Sequence, residues 1–328
     1  MRHFAPLTII IPAYAAAATL NRTLESVAAA KPQAAEVIVA LDGADNAMQA
    51  ILQNWPAVKV VGFANNRGAC AARNLGLKEV TTPYVMFLDA DDSISPGLLG
   101  HLCWTAQSDD ADLAFATHAI EREDGRLTMV EASKLRDARE LMDYWLSGKY
   151  VPPCSVLWKT EFLRHLGGWD ETLAQNQDGD VIHRALYGGA RVAWSRAGYG
   201  IYVQRDGSTR VSKMMTPQAI ESQFQVLERV ERMNIASGLV ADEDIGKAWY
   251  LLASRLYGRG HETHAALALK RARELGFNGH AGTLWQRLAA SLLGLGLKSR
   301  IINRFRKFIY TILSKRMTMP QIIEFKNK

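Results

Sequence analysis

Four short apolar runs, separated by stretches of mixed polarity, organise the beginning of the chain. They occupy residues 7–12, 37–42, 58–63 and 84–89. The runs are nearly continuous in hydrophobic residues, as in strands that are covered on both faces. Between the first two runs, apolar residues recur at i, i+4, i+7 and i+8, the spacing of one helix face, at Leu20, Leu24, Val27 and Ala28. This alternation predicts an α/β fold with a doubly wound, mostly parallel sheet.

The rest of the chain changes pattern. Its middle part combines helical spacing at 96–107 and 136–146 with short β-type runs at 155–159 and 191–195. Beyond residue 216 the spacing is helical almost throughout, which predicts a C-terminal all-helical extension containing a helix hairpin. We predict an α/β domain of two halves at 1–212 (about 1–95 and 96–212), a helical accessory region at 213–294 and a basic tail at 295–328.

Composition places the chain among ordinary globular proteins. Hydrophobic residues make up 48% and charged residues 22% of its 328 positions, enough for a large core. The first apolar stretch is stopped by Pro12 and does not resemble a secretory signal. The three cysteines include no CxxC pair, which argues against disulfides and structural zinc. We therefore expect a cytoplasmic protein without a spanning helix, and no nucleic-acid partner.

The net charge of +6 conceals a strongly basic tail. Residues 295–328 contain nine Lys or Arg and one acidic residue, whereas the preceding part is nearly neutral. Ile301, Phe305, Phe308 and Ile312 fall at i, i+4, i+7 and i+11, beside a basic face. Such basic amphipathic helices lie on anionic membranes. The tail predicts a peripheral contact of residues 295–316 with the inner face of the cell membrane. The alternative is a helix that packs Ile301 and Phe305 onto the protein.

The sequence FLDADDSISP places three carboxylates, Asp89, Asp91 and Asp92, directly behind the fourth apolar run. Ligands of parallel sheets bind at the carboxyl ends of the strands, where Asp42 also falls. Hard cations such as Mg²⁺ or Mn²⁺ bind through one or two carboxylates plus substrate phosphates. The competing interpretation is a solvated turn that caps a helix, with Ser95 as N-cap and Pro96 at the first helical position.

Six motifs in order resemble one family. They are IIIPAYAAAATL, ALDG, NNRGACAARN, LDADD, LGGWDETL with QDGDVIHRAL, and YVQRDGS. Together they resemble the family 2 nucleotide-sugar glycosyltransferases of GT-A fold, typified by IIPAYN, VDDGS, NxGxxxARN, LDADD, GGFDE, EDxDLxxR and YRxHxxS. The resemblance covers residues 6–212 and implies an inverting transfer of a sugar from a nucleotide donor.

The resemblance also implies the donor and metal residues. Asp91 is the expected direct ligand of a divalent cation, Mn²⁺ or Mg²⁺, and Asp89 is expected near both the metal and the donor ribose. Asp42 is expected to accept the N3 hydrogen of uracil, since a carboxylate suits that donor edge. The other donor-binding candidates are Pro12, Ala13, Tyr14, Asn66, Gly68, Arg73 and Arg205. For Arg73, two roles stay open: direct donor contact and a structural clamp on nearby carboxylates.

Asp178 is the candidate catalytic base, because it falls at the Asp of the family's ED pair. A sugar hydroxyl needs a positioned carboxylate to take its proton as it attacks the anomeric carbon. The alternative is a carboxylate that only stabilises a helix N-terminus, and Asp180 is interpreted as such a helix-start residue. Nearby Trp169 is either an acceptor platform or a buried core residue.

Three departures from the family pattern bear on function. Leu41 replaces the first Asp of the ALDG motif, Gln177 replaces the first acid of the ED pair, and Arg205 stands where the family often has His. Arg cannot ligate a cation but can pair with a diphosphate. The leading interpretation is an inverting hexosyltransferase that uses a UDP-sugar and a glycan or lipid-linked acceptor in cell-surface or exopolysaccharide synthesis. A noncatalytic nucleotide- or glycan-binding assembly partner, and a sugar nucleotidyltransferase, are the alternatives.

Overall fold

A computed structural model describes residues 4–130, 135, 137–204, 215–281, 287–288 and 290–302 of the chain. Its strands are β1 Ala5–Ala13, β2 Ala34–Asp42, β3 Lys59–Phe63, β4 Tyr84–Phe87, β5 Ser93–Ile94, β6 Leu113–Arg122, β7 Leu127–Val130, β8 Val156–Lys159 and β9 Val192–Gln204. Its helices are α1 Leu20–Ala28, α2 Asn46–Leu52, α3 Ala69–Lys78, α4 Leu98–Ser108, α5 Ala138–Leu146, α6 Thr160–His165, α7 Gln177–Tyr187, α8 Pro217–Ser237, α9 Asp242–Arg259 and α10 Glu262–Glu274. Residues 290–302 are also helical.

The strands form one mixed sheet in the order β3-β2-β1-β4-β8-β6-β9-β5, with β7 beside β6. From β3 to β4 neighbouring strands run parallel, as the four apolar runs predict. β8 is antiparallel to both β4 and β6, while β9 is parallel to β6. The carboxyl ends of β1, β2, β4 and β6 therefore point to the same edge of the sheet.

Helices cover the parallel strands closely. The apolar face of α1, with Leu20, Leu24 and Val27, is buried in the main core together with Ile9 and Ile11 of β1. On α3, Gly76 lies so close to β1 that a Cβ added there would meet Ile10 Cγ2 at 2.6 Å. The glycine therefore lets α3 pack tightly against the strand, and this contact fixes where the first turn of α3 lies.

The chain divides into two compact units. The first comprises Met1–Trp145 and Lys149–Val240, and the second comprises Leu146–Gly148 and Ala241–Lys328. Helix α8 thus belongs to the first unit, whereas the sequence analysis groups it with the accessory region after residue 212. Arg229 of α8 explains this membership, because its guanidinium pairs with Asp170 and Asp180 at 2.6 Å each.

The second unit is built on a helix hairpin, as predicted. Its α9 buries Trp249, Tyr250, Leu252 and Leu256, and its α10 contributes the small residues Ala265, Ala268 and Ala272. Small residues on one helix let the large side chains of the other fill the space between them. Within the described part of the chain, no helix combines the length and the apolarity needed to cross a bilayer.

Candidate active site

The predicted site residues from the first half of the chain meet at the carboxyl edge of the sheet. Ala13 at the end of β1 lies beside Leu41 of β2, and Asp42 ends β2 opposite Phe63. β4 ends just before Asp89. Ala13 is buried, Pro12 is half-buried and Tyr14 is 65% exposed. Parallel strands therefore bring Ala13, Asp42 and Asp89 to one edge, as the sequence pattern predicts.

The Asp42 carboxylate organises the loop before α3. Its Oδ1 accepts from the backbone N–H of Arg67 at 2.6 Å, and its Oδ2 accepts from Asn66 Nδ2 at 3.0 Å and from the Gly68 N–H at 2.9 Å. Gly68 has a φ of +94°, a conformation that side-chain-bearing residues rarely adopt. Asn66 and Gly68 thus lie beside Asp42, and their hydrogen bonds to its carboxylate fix the backbone that leads into α3.

The acidic turn is anchored at its rear by Asp92 and Thr23. Asp92 is buried, and its Oδ1 accepts from the Val203 N–H at 2.9 Å. The Thr23 hydroxyl donates to the carbonyl oxygens of Ala90 and Asp92 at 3.0 and 2.8 Å. Burial, together with the charges of Asp89 and Asp91, raises the pKa of Asp92. Asp92 therefore orients the turn, whereas Asp91 is exposed and Asp89 half-buried.

The helix-capping interpretation of the acidic turn is wrong. The turn leads into β5, which pairs with β9, and α4 begins only at Leu98 with Gly97 as its N-cap. The Ser95 hydroxyl accepts from the Tyr199 N–H at 2.9 Å and so binds a strand instead of a helix end. The acidic turn therefore leads into a strand and does not directly precede a helix.

Arg73 links the acidic turn to α7. Its Nη2 donates to Asp89 Oδ1 at 2.8 Å, and its Nη1 lies 3.9 Å from Asp178 Oδ1. The Arg73 side chain is buried, and its guanidinium lies 5.6 Å from the centre of the Trp169 ring. The geometry is that of a clamp on two carboxylates, which is one of the two roles open for this residue.

Asp178 sits in the first turn of α7 with its carboxylate held by two groups. Trp169 Nε1 donates to Asp178 Oδ1 at 3.3 Å, and Arg73 approaches the same oxygen. The side chain keeps 38% of its surface exposed. Partial removal from water raises the pKa of Asp178, Asp89 adds to the rise, and Arg73 with the Trp169 hydrogen bond opposes it. An oriented, accessible carboxylate whose pKa is raised has the properties of a general base.

Trp169 and Asp180 are structural. Trp169 is buried, and its ring packs on Phe87 with a centroid separation of 4.2 Å, so the acceptor-platform interpretation is wrong and the core interpretation is right. Asp180 is buried between Arg184 at 2.8 Å and Arg229 at 2.6 Å. Two guanidinium partners leave Asp180 poorly suited to accept a substrate proton.

Asn74 and Glu171 contribute to the site, although the sequence pattern assigned neither of them a role. Asn74 binds both backbone groups of Trp169: its Oδ1 accepts from the Trp169 N–H at 2.9 Å and its Nδ2 donates to the carbonyl at 2.8 Å. Glu171 accepts from Asn74 at 3.0 Å and from Arg67 at 3.5 Å. Asn74 is the last residue of the NxGxxxARN pattern, and that position was the only signal for its role.

The carboxylate set fits a cation whose coordination is completed by substrate. Asp89 and Asp91 are two residues apart on one turn and offer oxygen ligands, the type that Mg²⁺ and Mn²⁺ prefer. Among the described residues, no group of three or more His, Cys, Asp or Glu side chains is arranged to hold a metal. Arg205 lies outside the described residues.

Several known proteins are similar to this chain. Residues 8–162 match the model of glycosyl transferase family 2. The pre-mycofactocin glycosyltransferase of Mycobacterium tuberculosis is 28% identical over 57% of this chain and 40% of its own length. The succinoglycan biosynthesis protein ExoU of Rhizobium meliloti is 33% identical over 56% of this chain and 57% of its own length. The chain thus spans about half the length of these relatives.

The fold also matches solved structures. S. aureus TarS 1–349 superimposes with a TM-score of 0.62 at 16% identity, covering 92% of this chain and 91% of that one. The same protein in complex with UDP-GlcNAc gives 0.58 at 17% identity over 82% and 90%. These likenesses confirm the predicted GT-A fold. The family match covers residues 8–162, and over these residues the chain is similar to the family 2 glycosyltransferases.

Proposed function

We propose that the protein transfers a sugar from a nucleotide donor, a UDP-sugar, to a glycan or lipid-linked acceptor, with inversion at the anomeric carbon. The observation that carries this proposal is the Asp178 carboxylate, held by Trp169 and Arg73 next to Asp89. Such a site offers an acceptor-side base within reach of a donor-side acidic turn. ExoU is named for succinoglycan biosynthesis, and TarS was solved with UDP-GlcNAc. Both support a UDP-sugar and a polysaccharide product.

Asp178 is proposed to take the proton of the acceptor hydroxyl. The hydroxyl oxygen attacks the anomeric carbon, the bond from that carbon to the β-phosphate oxygen breaks, and the nucleoside diphosphate leaves with the bonding electrons. The proton passes to Asp178 and then to water. This single displacement inverts the anomeric centre, and Trp169 Nε1 keeps the carboxylate oriented throughout.

Asp91 and Asp89 are proposed to hold a divalent cation together with the donor diphosphate. When bound, such a cation neutralises the charge that develops on the leaving phosphate. Asp92 and Thr23 support the two ligands by fixing the turn behind them. Arg73 keeps one oxygen of Asp89 oriented at 2.8 Å. Arg205 is proposed to contact the diphosphate, because a guanidinium pairs with phosphate in two-point geometry.

The uracil is proposed to bind beside Asp42, between Tyr14 and the loop 66–68. A carboxylate can accept about four hydrogen bonds. The contacts of Asp42 with residues 66–68 take three of them. One acceptor position is therefore left for the N3 hydrogen of the base. Pro12, Ala13 and the exposed Tyr14 line the same edge of the sheet.

The working location is proposed to be the cytoplasmic face of the cell membrane. Nine basic residues against one acidic residue in 295–328 suit an anionic surface, and a lipid-linked acceptor would give the enzyme reason to be there. Of the predicted amphipathic helix, residues 299–302 are described, and 303–316 lie outside the described residues. Ile301 is exposed, which favours the membrane over packing onto the protein.

A nucleotide-sugar screen tests the proposed activity. The full chain is incubated with UDP-, GDP- and dTDP-sugars in Mn²⁺, and release of the nucleoside diphosphate is measured. We expect release from one class of UDP-sugar, and loss of it in Asp91→Ala. Asp124→Ala, which removes an exposed carboxylate in the β6–β7 turn, is the matched control and should behave as the parent. Binding of nucleotide without release or transfer to any acceptor would instead support the noncatalytic alternative. The departures from the family pattern at Leu41 and Gln177 are consistent with that alternative.

A further inference from the structure

The helix over residues 290–302 belongs to the second unit and contacts its helices α9 and α10 through small and polar residues. The Ser299 hydroxyl lies 3.0 Å from the Ser254 hydroxyl of α9, and a Cβ added to Gly296 would lie 3.4 Å from the Tyr257 ring. Arg300 pairs with Glu262 of α10 at 2.6 Å. Ala290, Leu295 and Lys298 are also buried. These contacts fix which side of the helix faces the protein.

The segment also exposes several large apolar side chains. Five large apolar residues lie within 14 positions, with exposed fractions of 45, 83, 47, 50 and 45% for Leu288, Leu292, Leu293, Leu297 and Ile301. A helix of a soluble protein normally buries its leucines and exposes its small polar residues. Here Ser299 and Gly296 contact the protein, and four of the five leucines in 288–297 are exposed while Leu295 is buried. This inverted polarity indicates that another phase or molecule covers them.

The charge of the residues that follow this helix indicates what covers its exposed apolar side chains. The basic residues of the tail continue directly from it, and residues 295–328 hold nine basic side chains and one acidic one. An apolar helix surface joined to basic residues matches the boundary of an anionic bilayer, where apolar side chains enter the acyl region and cations meet the headgroups. A second protein copy would share the positive charge and be repelled by it.

We propose that Leu288, Leu292, Leu293, Leu297 and Ile301, here called the leucine surface, insert into an anionic lipid bilayer. The proposal deepens the proposed function, because it rests on a lipid-linked acceptor. It differs from the location suggested by the basic tail alone, since the leucine surface begins upstream of that tail and contributes apolar contact. Charge attracts the chain to the membrane, and the leucines hold it there.

The test uses the full chain and two kinds of vesicle, phosphatidylcholine alone and phosphatidylcholine with three parts in ten of phosphatidylglycerol. The variant Leu292→Ser/Leu297→Ser/Ile301→Ser weakens the leucine surface. Its matched control is Ile235→Ser/Leu267→Ser, which removes exposed apolar residues of α8 and α10 that are 86% and 53% exposed. Vesicle partition is measured by flotation, and both variants are checked for parental melting curves.

We expect the parent to bind the anionic vesicles and the control variant to bind them as the parent does. The vesicle partition of the triple variant should fall at least about tenfold. Equal flotation of the parent and the triple variant would overturn the proposal. So would a parent that does not float, or one that is dimeric without lipid and becomes monomeric in the triple variant, since the surface would then join two copies. Donor hydrolysis in solution should be unchanged in the triple variant, so a failure here is separate from a failure of the proposed catalytic function.

Discussion

Arg73 and Asp178 approach to 3.9 Å although more than a hundred residues separate them in the chain. The same guanidinium donates to Asp89 at 2.8 Å, so one buried cation lies between the acidic turn and the first turn of α7. Two carboxylates close together would otherwise raise each other's pKa. Arg73 therefore opposes the rise in the pKa of Asp178 that burial and the neighbouring Asp89 cause.

Replacing Arg73 should cost both stability and activity. Arg73→Met keeps the apolar stem but leaves Asp89 and Asp178 without their cation. Breaking a buried pair typically costs 3–5 kcal/mol, and because the two carboxylates remain about one-third exposed we expect about 2–3 kcal/mol. The acid limb of any activity profile should also move to higher pH, because a cause that lowers the Asp178 pKa is lost.

Urea unfolding and the pH profile of transfer measure these two effects. Arg126→Met, which changes an exposed arginine in the β6–β7 turn, is the control and should melt with the parent. A variant at position 73 with parental stability and an unmoved acid limb would show that the clamp has no energetic role.

Asp178→Asn should abolish transfer while keeping donor affinity. The amide preserves the size of the side chain but cannot take a proton, so turnover should fall about 10²- to 10⁴-fold. In the parent, the base works only when ionised. Since burial raises its pKa, activity should decline on acidification at a higher pH than an ordinary aspartate would give.

The measurement pairs acceptor-dependent transfer with calorimetric donor titration. Transfer at near the parental rate in Asp178→Asn would mean that the base lies elsewhere. Loss of donor binding together with transfer would place Asp178 on the donor side instead.

Asp91→Ala should remove metal-dependent donor binding without unfolding the protein. Asp91 is exposed on the acidic turn, whereas the buried anchor of that turn is Asp92. A calorimetric titration of UDP-sugar in Mn²⁺ should therefore lose its signal while the melting curve stays unchanged. Tight binding in the variant would show that the cation is held by other groups.

Acid should destabilise the fold through a buried histidine. Burial lowers the pKa of His183 to about 4, and neither ring nitrogen has a hydrogen-bond partner among the described residues. The unfolded chain takes up that proton near pH 6.5, so the stability from neutral His183 is complete above that pH and is lost as the pH falls toward 4. The shift corresponds to about 3 kcal/mol.

The free energy of unfolding in urea at pH 7.5, 6 and 5 tests this dependence. His183→Leu should flatten the loss between pH 6.5 and 4, since an apolar residue in an apolar place takes up no proton. His101→Leu, at an exposed position of α4, is the control. An equally steep loss in His183→Leu would show that other groups carry the acid sensitivity.

The sequence predicted what depends on short-range pattern. Continuous apolar runs identified β1 to β4, and the rule that ligands bind at strand carboxyl ends located Asp42 and Asp89 together. β6 was not predicted, because its outer half, Thr117–Arg122, carries polar residues such as His118, which is buried where β6 pairs with β7 and β9. The alternation of this strand is visible only once its neighbours are known.

Roles that depend on distant contacts could not be read from the sequence. Trp169 had two interpretations, and its packing on Phe87 decides between them. Asp180 was interpreted as a helix-start residue, and its ion pair with Arg229 could not be predicted from the local sequence. The boundary at residue 240 has the same origin. Helix α8 has the pattern of any amphipathic helix, and an ion pair with residues distant in the sequence assigns it to the first unit.

The backbone turn at Gly168 and the side chain of Asn74 should prove energetically coupled. Gly168 has a φ of +68°, and a Cβ added there would meet Asn74 Oδ1 at 2.5 Å. Gly168→Ala therefore strains the backbone by about 1–2 kcal/mol and also disturbs the two hydrogen bonds from Asn74 to Trp169, each worth about 1 kcal/mol. Gly167→Ala provides the control, because its φ is +82° and no atom lies within 4 Å of the added Cβ.

The test compares the unfolding free energies of Gly167→Ala, Gly168→Ala, Asn74→Ala and the double variant Gly168→Ala/Asn74→Ala. Gly167→Ala should lower the free energy of unfolding only through backbone strain. Gly168→Ala should lower it by about 1–2 kcal/mol more. In the Asn74→Ala background, the extra cost of Gly168→Ala should disappear, because the clash and the hydrogen bonds are already gone. Additive costs at positions 74 and 168 would mean that Asn74 does not hold the Trp169 loop. The orientation of the Trp169 ring, and with it the hydrogen bond to Asp178, would then have to come from packing on Phe87 and Trp158.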